Sequence, residues 1–240
     1  MDYKQNSNSK ILDILNGIKY GITYFTTLRI KLNYFDVNKQ FYQGVLLSLP
    51  IVGAILSSII ILFYIVLPFH SLYSAVISSI LYLFLTGFLH YEAVADTVDG
   101  WYASLSKKDI YEVMHEPQVG SIGAIAMVSF MLLEISALVY CFYEELYLVI
   151  FLAFVLSRVG VYFALSFDYH EKSKFIISLK ENKKDFKFLN ILLYPIKLFV
   201  DYVLNKLQKK LGFLNGDTLG FLIVILEIVL LNIGLLISLI

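Results

Sequence analysis

Four side chains that could carry chemistry lie close together between residues 90 and 99. They are one imidazole and three carboxylates: His90, Glu92, Asp96 and Asp99. The carboxylates follow the spacing i, i+4 and i+7, which places all three on one face of a helix. Like charges at this spacing repel each other. The pattern is therefore either a solvated acidic face at the end of a membrane helix or a site for a divalent cation such as Mg²⁺, which prefers carboxylate oxygens.

The composition is that of an integral membrane protein. The chain has 240 residues, of which 59% are hydrophobic and only 16% are charged. Carboxylates are costly beside membrane-embedded sequence, which favours the metal site over the solvated face. The formal net charge is zero, so no attraction to nucleic acid is expected. The single cysteine, Cys141, excludes an intrachain disulfide and a cysteine-rich metal site.

The hydrophobic pattern predicts an all-α fold, a polytopic membrane bundle of about five to six transmembrane helices with interfacial amphipathic helices. No internal repeat divides the chain, so residues 1–240 are expected to form one domain. An interfacial helix is expected at 11–28, and an interfacial or partly inserted helix at 188–211. The expected transmembrane helices are 44–67, 72–99, 120–143, 146–167 and 218–240.

The second predicted span is longer than a bilayer requires. Its pattern continues without a break from Leu72 to Asp99, and Gly100 follows as a stop signal. At ~1.5 Å per residue, such a helix is about 42 Å long, roughly 12 Å more than the hydrocarbon core. Glu92 is then expected near the interface, with Asp96 and Asp99 beyond it in contact with water.

Basic residues determine the expected orientation. A basic cluster before the first span and a lysine-rich loop at 168–187 are both expected in the cytoplasm. The loop lysines are expected to contact lipid headgroups. With five spans, acids that are distant in sequence come to the cytoplasmic surface: Glu92, Asp96, Asp99, Glu116 and Asp217.

Two further charged residues each have two explanations. Arg158 lies near the middle of the fourth predicted span, where an arginine must face protein or a wet cavity. It is either a structural partner of Glu134 or Glu227, or a grip for a phosphate, to which the planar guanidinium is suited. Asp217 lies where the last span begins, and it either caps that helix or adds a metal ligand.

Three stretches of the chain match the motifs of a known family. Residues 86–100, TGFLHYEAVADTVDG, resemble the pattern T-G-G-L-H-L-D-G-L-A-D-T-A-D-G. Residues 114–123, MHEPQVGSIG, resemble M-K-D-S-R-I-G-T-x-G, and residues 212–221, GFLNGDTLGF, resemble G-G-x-T-G-D-x-L-G-A. Four single residues also fit: Pro50, Gly53, Arg158 and Glu227. In these positions the chain resembles the cobalamin synthase family, the adenosylcobinamide-GDP ribazoletransferases.

The resemblance implies a Mg²⁺-dependent transferase of phosphorus-containing groups in the bacterial cytoplasmic (inner) membrane, with its active site facing the cytoplasm. Such an enzyme transfers the adenosylcobinamide-phosphate group from adenosylcobinamide-GDP to α-ribazole, a related lower-ligand nucleoside or the 5′-phosphate, and releases GMP. This reaction is the last step of cobalamin nucleotide-loop assembly. Membrane lipid, other corrinoid-assembly enzymes and a second copy of the chain are candidate partners, whereas nucleic acid is not.

The resemblance also implies roles for individual residues. The expected metal ligands are Glu92, Asp96, Asp99, Glu116 and Asp217. The expected catalytic residues, one of which would take the proton of the attacking hydroxyl, are His90, Asp96 and Asp99. The expected substrate- and phosphate-binding residues are Thr97, Lys107, Lys108, His115 and Arg158.

The chain departs from the family pattern at several of these positions. Glu replaces Asp at Glu92 and Glu116, which keeps an oxygen ligand on a longer side chain. His115 and Gln118 replace a lysine and an arginine, so two phosphate-binding charges are missing or are supplied by the nearby lysine pair 107–108. An altered lower-ligand base or a diverged paralogue would explain these changes.

Two other functions stay open at this point. CDP-alcohol phosphatidyltransferases also place aspartates on membrane helices, but their D-G-x2-A-R signature is missing because no arginine follows Ala95. A transporter or a non-catalytic membrane scaffold would use Arg158, Glu134 and Glu227 as an intramembrane charge network. That alternative leaves the A-D-T-x-D-G core of the first motif unexplained.

Overall fold

Helices account for all regular structure in this computed structural model, which describes residues 2–32, 37–105, 109–116, 118–184 and 186–239. The all-α fold expected from the hydrophobic pattern is thus confirmed for the described residues. In chain order, the helices are α1 (Asp2–Phe25), α2 (Lys39–Val66), α3 (Ser71–Leu85), α4 (Leu89–Ala103), α5 (Ile110–Val113), α6 (Ser121–Tyr143), α7 (Tyr147–Ala164), α8 (Lys174–Asn182), α9 (Lys187–Leu192), α10 (Tyr194–Leu211) and α11 (Gly216–Ser238).

The described helices form a polytopic membrane bundle, as the composition predicts. Four of them, α2, α6, α7 and α11, are long and apolar enough to cross a membrane. The pair α3 and α4 makes a fifth crossing if this bent pair is one span. The structure therefore supports four or five spans in its described part, and only the larger number reaches the expected five to six.

The prediction of one continuous helix from Leu72 to Asp99 is wrong. Helix α3 ends at Leu85, and α4 begins at Leu89 in a direction that differs by 75°. Gly100, which was expected to stop the helix, lies inside α4. The acidic residues are therefore carried by a separate, short helix and not by the end of a long straight span.

A glycine-terminated helix end explains this break. Gly87 and Phe88 both adopt a left-handed conformation, with φ of 60°. The N–H of Gly87 donates to the Phe84 carbonyl at 3.1 Å, and the N–H of Phe88 donates to the Leu83 carbonyl at 3.2 Å. This pair of bonds is the Schellman arrangement, in which a left-handed glycine satisfies the last free carbonyls of a helix.

Helix α1 packs closely against the spanning helix α2. A Cβ atom on Gly17 would overlap the carbonyl oxygen of Phe41, and one on Gly44 would overlap the carbonyl oxygen of Ile14. Small residues allow helix backbones to approach each other in this way. The amphipathic helix expected at 11–28 is therefore a packed member of the bundle, and it is not among the helices that could span a membrane.

The segment 188–211 forms two helices instead of one. Helices α9 and α10 are separated at Leu193, and neither is among the helices that could span a membrane. Helix α10 packs against α7, α11 and α4. Its apolar stripe is buried as the helical periodicity predicts, through Ile196, Val203, Leu207 and Leu211.

Candidate active site

Four carboxylates converge where α4 meets the beginning of α11. Glu92 is exposed, whereas Asp96 and Asp99 are partly buried along the same helix. The charge of Asp96 is repelled by Asp217 of α11 as well as by Glu92 and Asp99. Helix α4 thus carries the expected acidic face, and α11 brings to it an acid from more than a hundred positions later in the chain.

Close packing and a well-defined helix start bring Asp217 to this place. A Cβ atom on Gly220 would lie 2.5 Å from the Cβ of Ala93, so α11 approaches α4 through a position without a side chain. Asn215, not Asp217, is the N-cap of α11, and its Oδ1 accepts the Thr218 N–H at 3.1 Å. Asn215 also donates to Asp217 Oδ2 at 2.7 Å. Asp217 is therefore not the N-cap of α11, although its carboxylate also accepts its own backbone N–H.

Both carboxylate oxygens of Asp99 accept hydrogen bonds from the beginning of α6. Its Oδ2 accepts the N–H of Gly120 at 2.7 Å, and its Oδ1 accepts the N–H of Gly123 at 2.8 Å. A Cβ atom on Gly120 would lie 2.6 Å from Asp99 Oδ1, and one on Gly123 would overlap the same carboxylate. A carboxylate at a helix N-terminus satisfies free N–H groups and stabilises the helix. The second motif needs its two glycines because Asp99 of the first motif approaches so closely.

The next residue also joins the first two motifs. A Cβ atom on Gly100 would lie 2.6 Å from Met114 Cγ, and Met114 is buried against this glycine. Glu116, two residues later, is exposed. Within the described residues, no hydrogen bond or ion pair joins Glu116 to the carboxylates of α4.

An aromatic stack that the sequence analysis missed lies next to Asp217. The ring of Tyr111 stands between the imidazoles of His115 and His170, with centroid distances of 4.1 Å and 4.2 Å. The Nζ of Lys172 lies 4.6 Å from the centroid of the Tyr111 ring. The charge of His115 attracts that of Asp217. Tyr111 lies on α5 close to His115 in sequence, whereas His170 and Lys172 come from the loop before α8, so no local sequence signal could have grouped all four residues.

Other expected site residues lie away from the carboxylates or outside the described ranges. Thr97 is 1% exposed, and its hydroxyl has no hydrogen-bond partner among the described residues. It lines a separate cavity of about 350 Å³ between α4, α10 and α11. His90 is 5% exposed and lines an apolar cavity on another side of α4. Lys107 and Lys108 lie outside the described residues.

Arg158 is buried in the bundle and paired with other side chains. Its guanidinium forms an ion pair with Glu227 of α11 and donates to the Tyr82 hydroxyl at 3.1 Å. Arg158 is 1% exposed and Glu227 is fully buried. Nearby, the hydroxyl of Tyr91 donates to the buried Glu134. Of the two explanations for Arg158, the structure supports the structural partner, because its charge is already neutralised in the core.

The carboxylates fit a cation that shares its coordination with substrate. Among the described residues, no group of three or more His, Cys, Asp or Glu side chains could hold a metal ion by itself. Mg²⁺ needs no such cage, since it usually takes one or two protein carboxylates and completes its shell with water and substrate phosphates. Asp96 has no hydrogen bond or ion pair in the described part of the chain, and Asp217 is its acidic neighbour across the helix interface. This pair has the donor chemistry that Mg²⁺ requires.

Comparisons with known proteins agree with the three motifs. A model of the cobalamin-5-phosphate synthase family matches residues 17–235. An adenosylcobinamide-GDP ribazoletransferase of Treponema denticola is 32% identical over 121 residues, which cover 50% of this chain and 46% of that protein. Proteins of the same name from Clostridium botulinum (strain Loch Maree) and Alkaliphilus metalliredigens are 33% and 27% identical, over 62% and 84% of this chain and 61% and 87% of theirs.

The matches differ in how much of each protein they cover. The chain spans about half the length of the T. denticola relative and about three fifths of the C. botulinum relative. No solved structure matches the chain. The family model, in contrast, covers nearly all of the sequence and includes all three motifs. The chain therefore belongs to the cobalamin-5-phosphate synthase family, as the motifs predicted.

Proposed function

We propose that this protein is an adenosylcobinamide-GDP ribazoletransferase that transfers the adenosylcobinamide-phosphate group to α-ribazole or its 5′-phosphate and releases GMP. The observation that carries the proposal is the family match over residues 17–235. The names of the relatives support it. The convergence of carboxylates from α4 and α11 within the matched region supplies the chemistry that such a transfer needs.

The reaction is a substitution at phosphorus. A ribose hydroxyl oxygen that is free in both acceptors attacks the phosphorus bonded to cobinamide, and the bond from that phosphorus to the bridging oxygen of the pyrophosphate breaks. GMP leaves with the bridging oxygen and its electron pair, and the hydroxyl proton passes to a base. Positioning and charge stabilisation account for most of the catalysis of such transfers. A bound Mg²⁺ neutralises the developing charge on the pyrophosphate oxygens.

The acids divide into metal ligands and a positioning residue in this proposal. Asp96 and Asp217 would hold Mg²⁺, and Glu92 at the exposed edge and Glu116 from the loop before α6 would be further ligands. Asp99 fixes the beginning of α6, because both of its oxygens accept backbone N–H groups. Asp96 is also the candidate acceptor of the hydroxyl proton, since it is partly buried in the cluster and has no hydrogen bond or ion pair among the described residues.

Basic groups near the carboxylates would bind the phosphates. His115 acts electrostatically on Asp217. This imidazole stands where the family pattern has a lysine, and Lys107 and Lys108 precede it in the sequence. The two lysines would supply the remaining positive charge on the cytoplasmic side of the bacterial inner membrane, where the water-soluble acceptor arrives.

The direct test is turnover by the purified protein in detergent. With adenosylcobinamide-GDP, α-ribazole and Mg²⁺, we expect release of GMP together with a complete corrinoid, and we expect a chelator to abolish it. Asp96→Asn should reduce turnover by at least about a hundredfold, because metal-assisted charge stabilisation contributes several kcal/mol and each 1.36 kcal/mol is a factor of ten. The melting temperature should stay within about 2 °C of the wild type, because the side chain has no described partner.

A matched control comes from an aspartate outside the cluster. Asp168 is exposed and pairs with Lys180 at 2.6 Å. Asp168→Asn removes the same charge at a distance from the carboxylates, so its turnover should equal that of the wild type. Full activity of Asp96→Asn would overturn the metal assignment. No GMP release by folded wild-type protein, with α-ribazole or with its 5′-phosphate, would favour the lipid phosphotransferase or scaffold alternatives.

A further inference from the structure

An apolar cavity of about 150 Å³ lies beside the carboxylates. Its walls come from α1, α2, α4, α7, α8 and α11, and they include the aromatic rings of Tyr24, Phe25 and Phe175. Two side chains that can form hydrogen bonds with a ligand, His90 and Asp217, also line it. The cavity therefore combines walls suited to a flat apolar ring with two groups that can form hydrogen bonds.

His90 is the unusual member of this lining. Its side chain is 95% shielded from solvent, since only 5% of the residue is exposed. Within the described residues, its imidazole has no hydrogen-bond partner, although a neutral imidazole carries both a donor and an acceptor nitrogen. Neither ring nitrogen is among the fully enclosed polar atoms without a partner, so the imidazole is open to the cavity that it lines. A ligand in the cavity can therefore form a hydrogen bond with it.

The size of the cavity limits what this ligand can be. An apolar protein cavity of about 150 Å³ is large enough to hold a benzene ring. Aromatic walls stabilise a flat ring by stacking and edge contacts. A ring that also carries a nitrogen acceptor would accept the N–H of His90. The cavity thus fits one ring of an aromatic nitrogen heterocycle, such as the base of a nucleoside.

The position of Asp217 links the cavity to the carboxylates. Asp217 lines the cavity and also repels the charge of Asp96 across the interface between α4 and α11. A base held in the cavity would therefore place its attached ribose beside Asp217, at the edge of the acidic cluster. One ligand that reaches from an apolar pocket to a group of carboxylates has the shape of a nucleoside with a hydroxyl at its far end.

We infer that this cavity is the binding subsite for the aromatic base of the acceptor nucleoside and that His90 determines which base is accepted. The inference rests on the proposed transferase function and assigns a location within it. In this proposal His90 contacts the aromatic base of the nucleoside. It is then a binding residue, and it does not take the proton of the attacking hydroxyl, as the family resemblance had suggested. A base that fills the cavity and offers a ring nitrogen to His90 should be preferred.

Two tryptophan variants of neighbouring residues on α8 test the location. Ile176 is buried and lines the cavity, whereas Ile177 is partly exposed and does not. Ile176→Trp should raise the KM for α-ribazole at least about tenfold, because the larger side chain occupies the space of the base. The KM for adenosylcobinamide-GDP should stay the same. Ile177→Trp should leave both constants unchanged.

A second pair of variants tests the role of His90. His90→Phe removes the donor, and His90→Asn keeps an N–H group that can donate. The acceptors are α-ribazole and an analogue in which the free ring nitrogen of the base is replaced by CH. The wild type should prefer α-ribazole by about tenfold, the value of one hydrogen bond to a buried group. His90→Phe should abolish this preference, and His90→Asn should keep part of it.

Binding of radiolabelled α-ribazole to the detergent-solubilised protein separates the two proposals. If wild-type protein turns over but Ile176→Trp leaves the KM for α-ribazole unchanged, the subsite is wrong and the transferase function stands. If wild-type protein neither releases GMP nor binds α-ribazole, both proposals fail. If it binds α-ribazole without turnover, and Ile176→Trp abolishes binding while Ile177→Trp does not, the subsite stands and the reaction is wrong.

Discussion

Two groups of acidic residues in this bundle show that partners, not residue type, decide what an acid does. Glu134 and Glu227 are fully buried, and each has a partner, the Tyr91 hydroxyl and the Arg158 guanidinium. The acids where α4 meets α11 are at least partly open to solvent, and the charge of Asp96 is repelled by the other three. Each buried acid has a partner inside the protein. In the described part of the chain Asp96 has no hydrogen bond or ion pair, so its carboxylate has unused capacity that the proposed cation and substrate would take up.

The largest expected effect comes from breaking the buried pair. Glu227→Leu leaves the guanidinium of Arg158 without its carboxylate in the core. Removing one partner of a buried ion pair lowers the free energy of unfolding by about 3–5 kcal/mol. Thermal unfolding in detergent should therefore begin well below that of the wild type.

A double variant shows whether this pair is only structural. In Glu227→Leu combined with Arg158→Leu, both charges are replaced by apolar side chains, which is often neutral or stabilising. We expect most of the lost stability to return, and turnover to return with it. A double variant that is stable but inactive would contradict the structural role and would revive phosphate binding by Arg158.

The next effect distinguishes Asp99 from the other acids of the cluster. Asp99→Ala removes the acceptor of two N–H groups at the beginning of α6. Loss of such a cap costs about 1–2 kcal/mol of stability. Turnover should fall as well, because the loop that carries His115 and Glu116 is no longer held against α4. Asp96→Asn should affect turnover alone, so equal stability losses in the two variants would contradict this division of roles.

A double-mutant cycle with Gly120 measures the same contact from the other side. Gly120→Ala places a Cβ atom 2.6 Å from Asp99 Oδ1, so it should destabilise the wild type by about 1–3 kcal/mol. In the Asp99→Ala background the obstructing oxygen is absent, and the same substitution should cost much less. Residues in contact typically show a coupling of about 0.5–3 kcal/mol. Additive effects in thermal unfolding would mean that the two residues do not meet in the folded protein.

Helical spacing was sufficient to predict the acidic face of α4, but it was not sufficient to predict which of its carboxylates are bonded to the protein and which are free. Glu92, Asp96 and Asp99 do share one helix, because i, i+4 and i+7 positions align whatever surrounds the helix. Which of them is free depends on the position of α6, which begins more than twenty residues after Asp99. The partner of Arg158 was among the expected candidates for the same general reason, that a buried charge needs a counter-charge. Its identity required the packing of α7 against α11.

The break between α3 and α4 was missed although a signal was present. Gly87 lies inside an uncharged, mainly apolar run, and a lone glycine inside such a run is tolerated by many membrane helices. The family pattern has a second glycine at the next position, and two consecutive glycines would have been a stronger turn signal. Here that position is Phe88, so the sequence presents a bulky side chain where the backbone adopts a left-handed conformation.

The smallest expected effect comes from restoring this glycine. A left-handed conformation costs a residue with a side chain about 1–2 kcal/mol, and glycine avoids this cost. Against this, the greater freedom of glycine in the unfolded chain lowers the stability of the folded protein by about 0.5–1 kcal/mol. Phe88 is 39% exposed, and the centroid of its ring lies 5.3 Å from that of Phe84. Removal of the Phe88 ring therefore removes only a modest amount of packing. Phe88→Gly should therefore raise the melting temperature by about 2 °C. Turnover should not decrease, because the turn that separates Tyr82 of the buried network from the acids of α4 keeps its shape.

Phe84→Ala is the matched control for this variant, because it removes the same ring contact from the α3 side and leaves the left-handed residue in place. It should lower the melting temperature, and the difference between the two variants then isolates the contribution of the backbone. If Phe88→Gly destabilises the protein as much as Phe84→Ala, the contact between the rings outweighs the backbone strain. The phenylalanine would then stabilise the turn that directs α4 and its carboxylates away from the axis of α3.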